Sequence, residues 1–183
     1  LAAIAAGRAW FACRVRPAPV LYIGLEGEAG IAQRVRAHQA RHGIADGMRF
    51  LLAPLDLRQP QDRADIVQAA RAAGLAGGVL CIDTLAASAP GMDENASADM
   101  GEIIAALKAL QAELGGLVLA VHHTGKDATK GLRGHSSLLG ALDAAIEVTR
   151  TDDRREWRTA KSKDGSDGDA HPFRLEVVEL ETD

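Results

Sequence analysis

Three apolar runs in this chain end in groups that could do chemistry. "PVLYIGLE" ends in Glu26, "GGVLCID" ends in Asp83 with Thr84 directly after it, and "GLVLAVHH" ends in His122 and His123. A carboxylate at the end of a buried strand is costly unless it is paired, hydrated or bound to a cation, so each position calls for a partner. Asp83 and Thr84 have the makings of a magnesium site, in which the carboxylate holds waters of an ion bridging nucleotide phosphates and the hydroxyl lies beside it. The alternative for Asp83 is a side chain that caps the loop after its strand. Glu26 could orient and polarise the water that attacks a γ-phosphate, or it could be an acidic residue near a helix start in "EGEAG", a place that Glu28 fills better. Neighbours on a strand face opposite sides, so at most one of the two histidines looks into such a site. His123, which abuts a polar loop, is the one expected to hydrogen-bond toward the γ-phosphate.

Two groups of cations follow. Lys126, Lys130 and Arg133 lie among glycines in "TGKDATKGLRGHSS". Such a segment suits contact with a phosphate backbone, where each neutralised phosphate releases counterion; an ordinary solvated loop has the same composition. Lys161 and Lys163 stand two apart in "AKSKDG", on one face of a strand. They could reach a neighbouring subunit's nucleotide as transition-state fingers, or form a solvated edge that discourages aggregation.

The elements that must position these groups are legible in the pattern. Apolar, β-branched runs predict strands over 19–26, 48–54, 77–83 and 116–123. Helical periodicity fills the gaps at 29–42, 61–74 and 97–114, the last with Ile103, Leu107, Leu110 and Leu114 on one face and Ser97 as N-cap. Alternating strands and helices imply an α/β fold, with a mainly parallel sheet covered by helices on both faces. The final third changes character: "DAAIEVTR", "EWRTAKS" and "PFRLEVVELE" read as short strands joined by turns, an antiparallel extension expected on one edge of the sheet. Glu26, Asp83, Thr84 and His123 then all fall at the carboxyl edge, where open α/β sheets bind their ligands.

Composition bounds the rest. With 183 residues, 47% apolar and 25% charged, the chain is expected to form one domain. A formal charge of −4 argues against a general polyanion coat, and an aromatic content of 3% against a base-stacking platform. No apolar run approaches the roughly 20 residues that cross a bilayer, and the start lacks the features of a signal peptide, so a cytoplasmic protein without membrane contact is expected. Cys13 and Cys81 have no metal-ligand spacing and are expected to be buried structural thiols. The first residue is Leu, and "LAAIAAGRAWF" reads as the end of a helix already under way, so the chain is expected to begin inside a larger protein.

Taken in order, "VLYIGLEGEAG", "VLCIDTLAA", "DENAS", "LAVHHTGKD" and "RGHSSLLGALDAAIEV" resemble the RecA-like P-loop NTPase core of RepA-type hexameric replicative helicases and related AAA-family ATPases of plasmids, phages and mobile elements. The resemblance spans residues 19 to 165. It implies ATP and Mg²⁺ as cofactors, Asp83 as the magnesium-site carboxylate, Glu26 as the catalytic glutamate and His123 as the γ-phosphate sensor. It further implies that the loop from Thr124 to Ser137 faces a central channel holding single-stranded DNA, that the complete protein forms a homo-oligomer, a hexamer, and that a primase or origin-binding protein recruits it. The family's phosphate loop, GxxxxGK[ST], precedes the helix whose tail "LAAIAAGRAWF" resembles, and no segment of this chain matches it. Residues 1–183 are therefore expected to be one RecA-like domain that by itself binds ATP poorly or not at all. The family's arginine finger is also missing after "LDAAI", which leaves Arg133, Lys161 and Lys163 as candidates. The competing expectations are a recombinase-like or regulatory RecA-fold ATPase without unwinding activity, and a degenerate, nucleotide-free scaffold.

Overall fold

The computed structural model describes residues 1–123 and 136–180. Its element order is α1 (Ala2–Ala6), β1 (Val20–Gly24), α2 (Glu28–His42), β2 (Met48–Leu51), α3 (Pro60–Ala72), β3 (Val79–Asp83), α4 (Ser97–Leu114), β4 (Leu117–Val121), α5 (Ser137–Ala141), β5 (Ala144–Thr151), β6 (Arg154–Ser162) and β7 (Ala170–Phe173). The first four strands form a parallel sheet in the order β2-β1-β3-β4.

This order locates the site. The chain leaves β1 to one side to make β2, then crosses back over β1 to make β3 on its other side. The connections that follow β1 and β3 therefore diverge, and a crevice opens outside the carboxyl ends of those two strands.

Alternation along β1 and β3 splits their side chains between the two faces. Leu21, Ile23, Leu80 and Ile82 pack into the main core with Ile66, Val67 and Ala70 of α3 and Met100, Ile103, Ala106 and Leu110 of α4. Ile103 and Leu110 hold the inner side of α4 as the periodicity predicts, and Leu107 packs against the core from its margin. Ser97 is the first helical residue, with Ala96 in the N-cap position. The opposite face, which carries Tyr22 and Cys81, is covered less completely. α1 runs over it and ends at Gly7, whose φ of 63° is the left-handed conformation that closes a helix at little cost to glycine. α2 buries only Ile31. Between α1, α2 and β2 a cavity of about 600 Å³ stays open, walled in part by Tyr22, Arg34, His38, Arg49 and Phe50.

The antiparallel extension is present, but it does not join the edge of the parallel sheet. β5, β6 and β7 form a sheet of their own. The last strand is also shorter than "PFRLEVVELE" suggests, ending at Phe173. Aromatic stacking is one tie between this sheet and the N-terminal segment: Trp157 on β6 stacks on Trp10, at a centroid distance of 4.6 Å, and within its own sheet on His171 of β7, at 4.2 Å. Trp10 sits on a turn whose central residues, Phe11 and Ala12, both have positive φ. That turn carries Cys13 outward, so this cysteine is exposed rather than buried, while Cys81 is buried in the sheet.

Candidate functional site

Three strand ends meet at the carboxyl edge. Gly24 and Asp83 are register partners at the ends of β1 and β3, and Asp83 pairs on its other side with Val121 of β4. The backbone continues the ladder one step further, with Leu25 N–H donating to the Asp83 carbonyl at 2.6 Å and Leu85 N–H to the Val121 carbonyl at 2.8 Å. Residues 26, 84 and 123 are thereby delivered within a few ångströms of one another. The Asp83–Thr84 peptide bond is cis.

Glu26 is the hub. Thr84 Oγ1 donates to Glu26 Oε1 at 2.8 Å, and His123 Nε2 lies 3.7 Å from Glu26 Oε2. The Glu26 carboxylate is about half exposed and the His123 ring more so, at 49% and 65%. Both are therefore open to solvent at this edge. Thr84 is different: it is buried, and its oxygen also accepts the Ala87 N–H at 3.2 Å. Its hydroxyl proton goes to Glu26, so in this arrangement Thr84 orients the glutamate. His122 lies one residue before His123 and is half-buried, while His123 is exposed.

Asp83 has a partner that its sequence context does not announce. The hydroxyl of Tyr22, on β1, donates to Asp83 Oδ2. Burial, then this hydrogen bond and the carboxylate's charge, hold the phenol protonated well above its usual range. Beside it on β3, burial pushes the Cys81 thiol up to about 12, with the Asp83 charge adding to the effect. Tyr22 is the chain's one tyrosine. The available signal was parity: Tyr22 and Gly24 stand two apart on one strand and so share a face, and Gly24 is the residue opposite Asp83.

The groups at this edge are two carboxylates, the Thr84 hydroxyl and the His123 imidazole, so oxygen donors predominate. Hard oxygen donors suit Mg²⁺, which keeps several waters and is commonly held by one or two carboxylates together with substrate phosphates. Among the described residues no group of three or more His, Cys, Asp or Glu could hold a metal ion by itself. Asp83 as a holder of metal-bound water fits that chemistry, whereas a closed protein cage does not.

The remaining candidates divide. Lys126, Lys130 and Arg133 lie outside the described residues. Lys161 Nζ donates to the carbonyls of Leu139 and Gly140, at 2.6 and 3.4 Å, near the end of α5. Lys163 pairs with Asp143 at 3.3 Å, with both side chains well exposed. Neither ammonium is turned toward Glu26; each is engaged within its own C-terminal segment.

Comparison with known proteins adds the following. A family model described as an AAA domain matches residues 1–129. No curated protein sequence matches. Among solved structures, 144 chains match, so the architecture is widely shared. One of them, described as the crystal structure of the RadB recombinase, gives a TM-score of 0.57 at 10% sequence identity, over 87% of this chain and 76% of that chain. At that identity the likeness concerns the fold, a RecA-like α/β core.

Proposed function

The chain belongs to the AAA domain family, whose model covers residues 1–129 of its 183, and from that premise we propose that this RecA-fold ATPase domain is the motor of a RepA-like hexameric helicase acting on single-stranded DNA in plasmid or phage replication. The observation that supports the hydrolytic part is the placement of Glu26 between Thr84 and His123, at 2.8 and 3.7 Å, beside the end of the strand that carries Asp83.

In this reading each residue has a physical task. Glu26, fixed by the Thr84 hydroxyl, accepts a hydrogen bond from the attacking water and draws off its proton as the water oxygen bonds to the γ-phosphorus and the bond from that phosphorus to the bridging oxygen of the departing ADP breaks. His123, on the far side of Glu26, donates toward the γ-phosphate oxygens. Asp83 holds waters of the magnesium ion, which when bound with ATP neutralises charge on the β- and γ-phosphates. Lys126 and Lys130 contact the phosphates of the single strand, and Arg133, Lys161 or Lys163 serves as the finger for a neighbour's nucleotide.

A second reading, a recombinase-like or regulatory ATPase that changes state without unwinding, is supported by the likeness to a structure described as a recombinase. Strand displacement by the complete protein separates the two. The motor reading expects ATP-dependent unwinding that is lost in Glu26→Gln; ATP turnover on single-stranded DNA without displacement would refute it in favour of the switch.

A further inference from the structure

Tyr22 does not belong to the set of strand-end residues that faces the crevice. It lies two residues back along β1, where its register partner is Cys81, while Asp83 pairs with Gly24. Tyr22 and Asp83 are diagonal neighbours on one face of a parallel pair. Such positions are roughly 7–8 Å apart at the backbone, beyond the reach of short side chains and within that of an aromatic one. The ring covers this distance by leaning along its strand across Gly24. A Cβ built at Gly24 would come within 3.0 Å of Tyr22 Cε1, 2.7 Å of Ile31 Cδ1 and 3.0 Å of Leu52 Cδ2. The absence of a side chain at 24 is thus what opens the path from the phenol to the carboxylate. The ring is held there by Phe50, at a centroid distance of 5.8 Å, and forms one wall of the cavity between α1, α2 and β2.

We propose that Tyr22 is a positioning residue for the magnesium-side carboxylate: its hydroxyl, donated to Asp83 Oδ2, fixes the rotation of the carboxyl group and leaves Oδ1 as the acceptor for metal-bound water. The inference rests on the reading of Asp83 as the holder of those waters. The chemical reason is specific. A carboxylate that binds an ion only through water gains no rigidity from direct coordination, so its orientation must come from the protein, as the outer partners of metal sites commonly provide. Thr84 does the same for Glu26, and the two carboxylates at this edge are thereby each fixed by one hydroxyl from the neighbouring strand or its continuation.

The test follows the phenol itself. In the complete protein labelled with carbon-13 at the tyrosine ζ position, the NMR resonance that disappears in Tyr22→Phe reports it. Asp83→Asn is expected to shift it, and so is saturation with Mg²⁺ and ADP. Tyr22→Phe, which keeps the ring and removes the donor, is expected to raise the Mg²⁺ concentration for half-maximal ATP turnover by about tenfold, the scale of one hydrogen bond to a charged group, with the KM for ATP little changed. A resonance that stays in place in Asp83→Asn would overturn the proposal, as would an unchanged Mg²⁺ requirement in Tyr22→Phe. A wild-type protein with no Mg²⁺-dependent turnover would instead bring down the ATPase reading and this inference with it. The response of the resonance to Asp83→Asn, which needs no turnover, tells that failure from a failure of the Tyr22 contact.

Discussion

Thr84 and Glu26, 58 residues apart in sequence, meet side chain to side chain, with Oγ1 donating to Oε1 at 2.8 Å. The contact exists because β1 and β3 are adjacent and in register, so that the residues just beyond their ends emerge side by side. A buried hydroxyl paired with a half-exposed carboxylate fixes the glutamate from behind and leaves its outer lone pairs for the crevice. In this geometry the Thr84 hydroxyl orients Glu26.

Replacing Thr84 tests that role. Thr84→Val keeps the shape and removes the donor, so Glu26 loses its orientation; ATP turnover is expected to fall about 10- to 100-fold, in line with the cost of misplacing a reacting group. The variant also leaves the Ala87 N–H without its acceptor, at about 1 kcal/mol of stability, which a urea titration reads. Thr84→Ser is expected to restore most of the activity.

The two thiols should behave oppositely. Cys13 is exposed on its turn, whereas Cys81 is buried and its thiol is pushed up to about 12. Because the thiolate is the reactive form, a raised value lowers its fraction at any pH below about 12, and burial denies access as well. A disulfide reagent at pH 8 is expected to titrate Cys13 rapidly and Cys81 only on unfolding; mass mapping of the labelled peptides checks this.

Much of this arrangement is legible in the residues, and the exceptions have physical causes. "VLYIGLE" and "GGVLCID" announce buried strands because both faces of a parallel sheet are covered, so apolar residues run without alternation. The polar residues that interrupt such runs, Glu26 and Asp83, must then mark the ends. The meeting of those ends depends on strand order, which periodicity does not encode. Tyr22 gives no such signal because a tyrosine within an apolar run reads as core, and only the register with Cys81 shows that its hydroxyl reaches Asp83. Cys13 is exposed against expectation because its neighbours Trp10 and Phe11, apolar by type, serve as a clamp on Trp157 rather than as core around the thiol. The separate C-terminal sheet was hidden for a similar reason: hairpin signals identify antiparallel pairs but not the edge on which they dock.

The nucleic-acid assignment is carried by Lys126 and Lys130. Reversing both charges in the complete protein is expected to weaken single-strand binding and to flatten its dependence on salt, with a slope change of roughly 0.7 per lost phosphate contact. Fluorescence anisotropy across a salt series measures it, and an unaltered slope would return these lysines to the status of ordinary solvated charges.

The account stands most directly on Glu26. Steady-state ATP turnover and equilibrium nucleotide binding, measured on the complete protein and its Glu26→Gln variant at saturating Mg²⁺, separate chemistry from binding. The account predicts that turnover falls by at least about 100-fold while nucleotide affinity stays within about twofold, as expected when a group acts in the transition state and not in ground-state binding. Turnover within about threefold of the unsubstituted protein would show that the proton is taken elsewhere, and would contradict the convergence of these strand ends on one nucleotide.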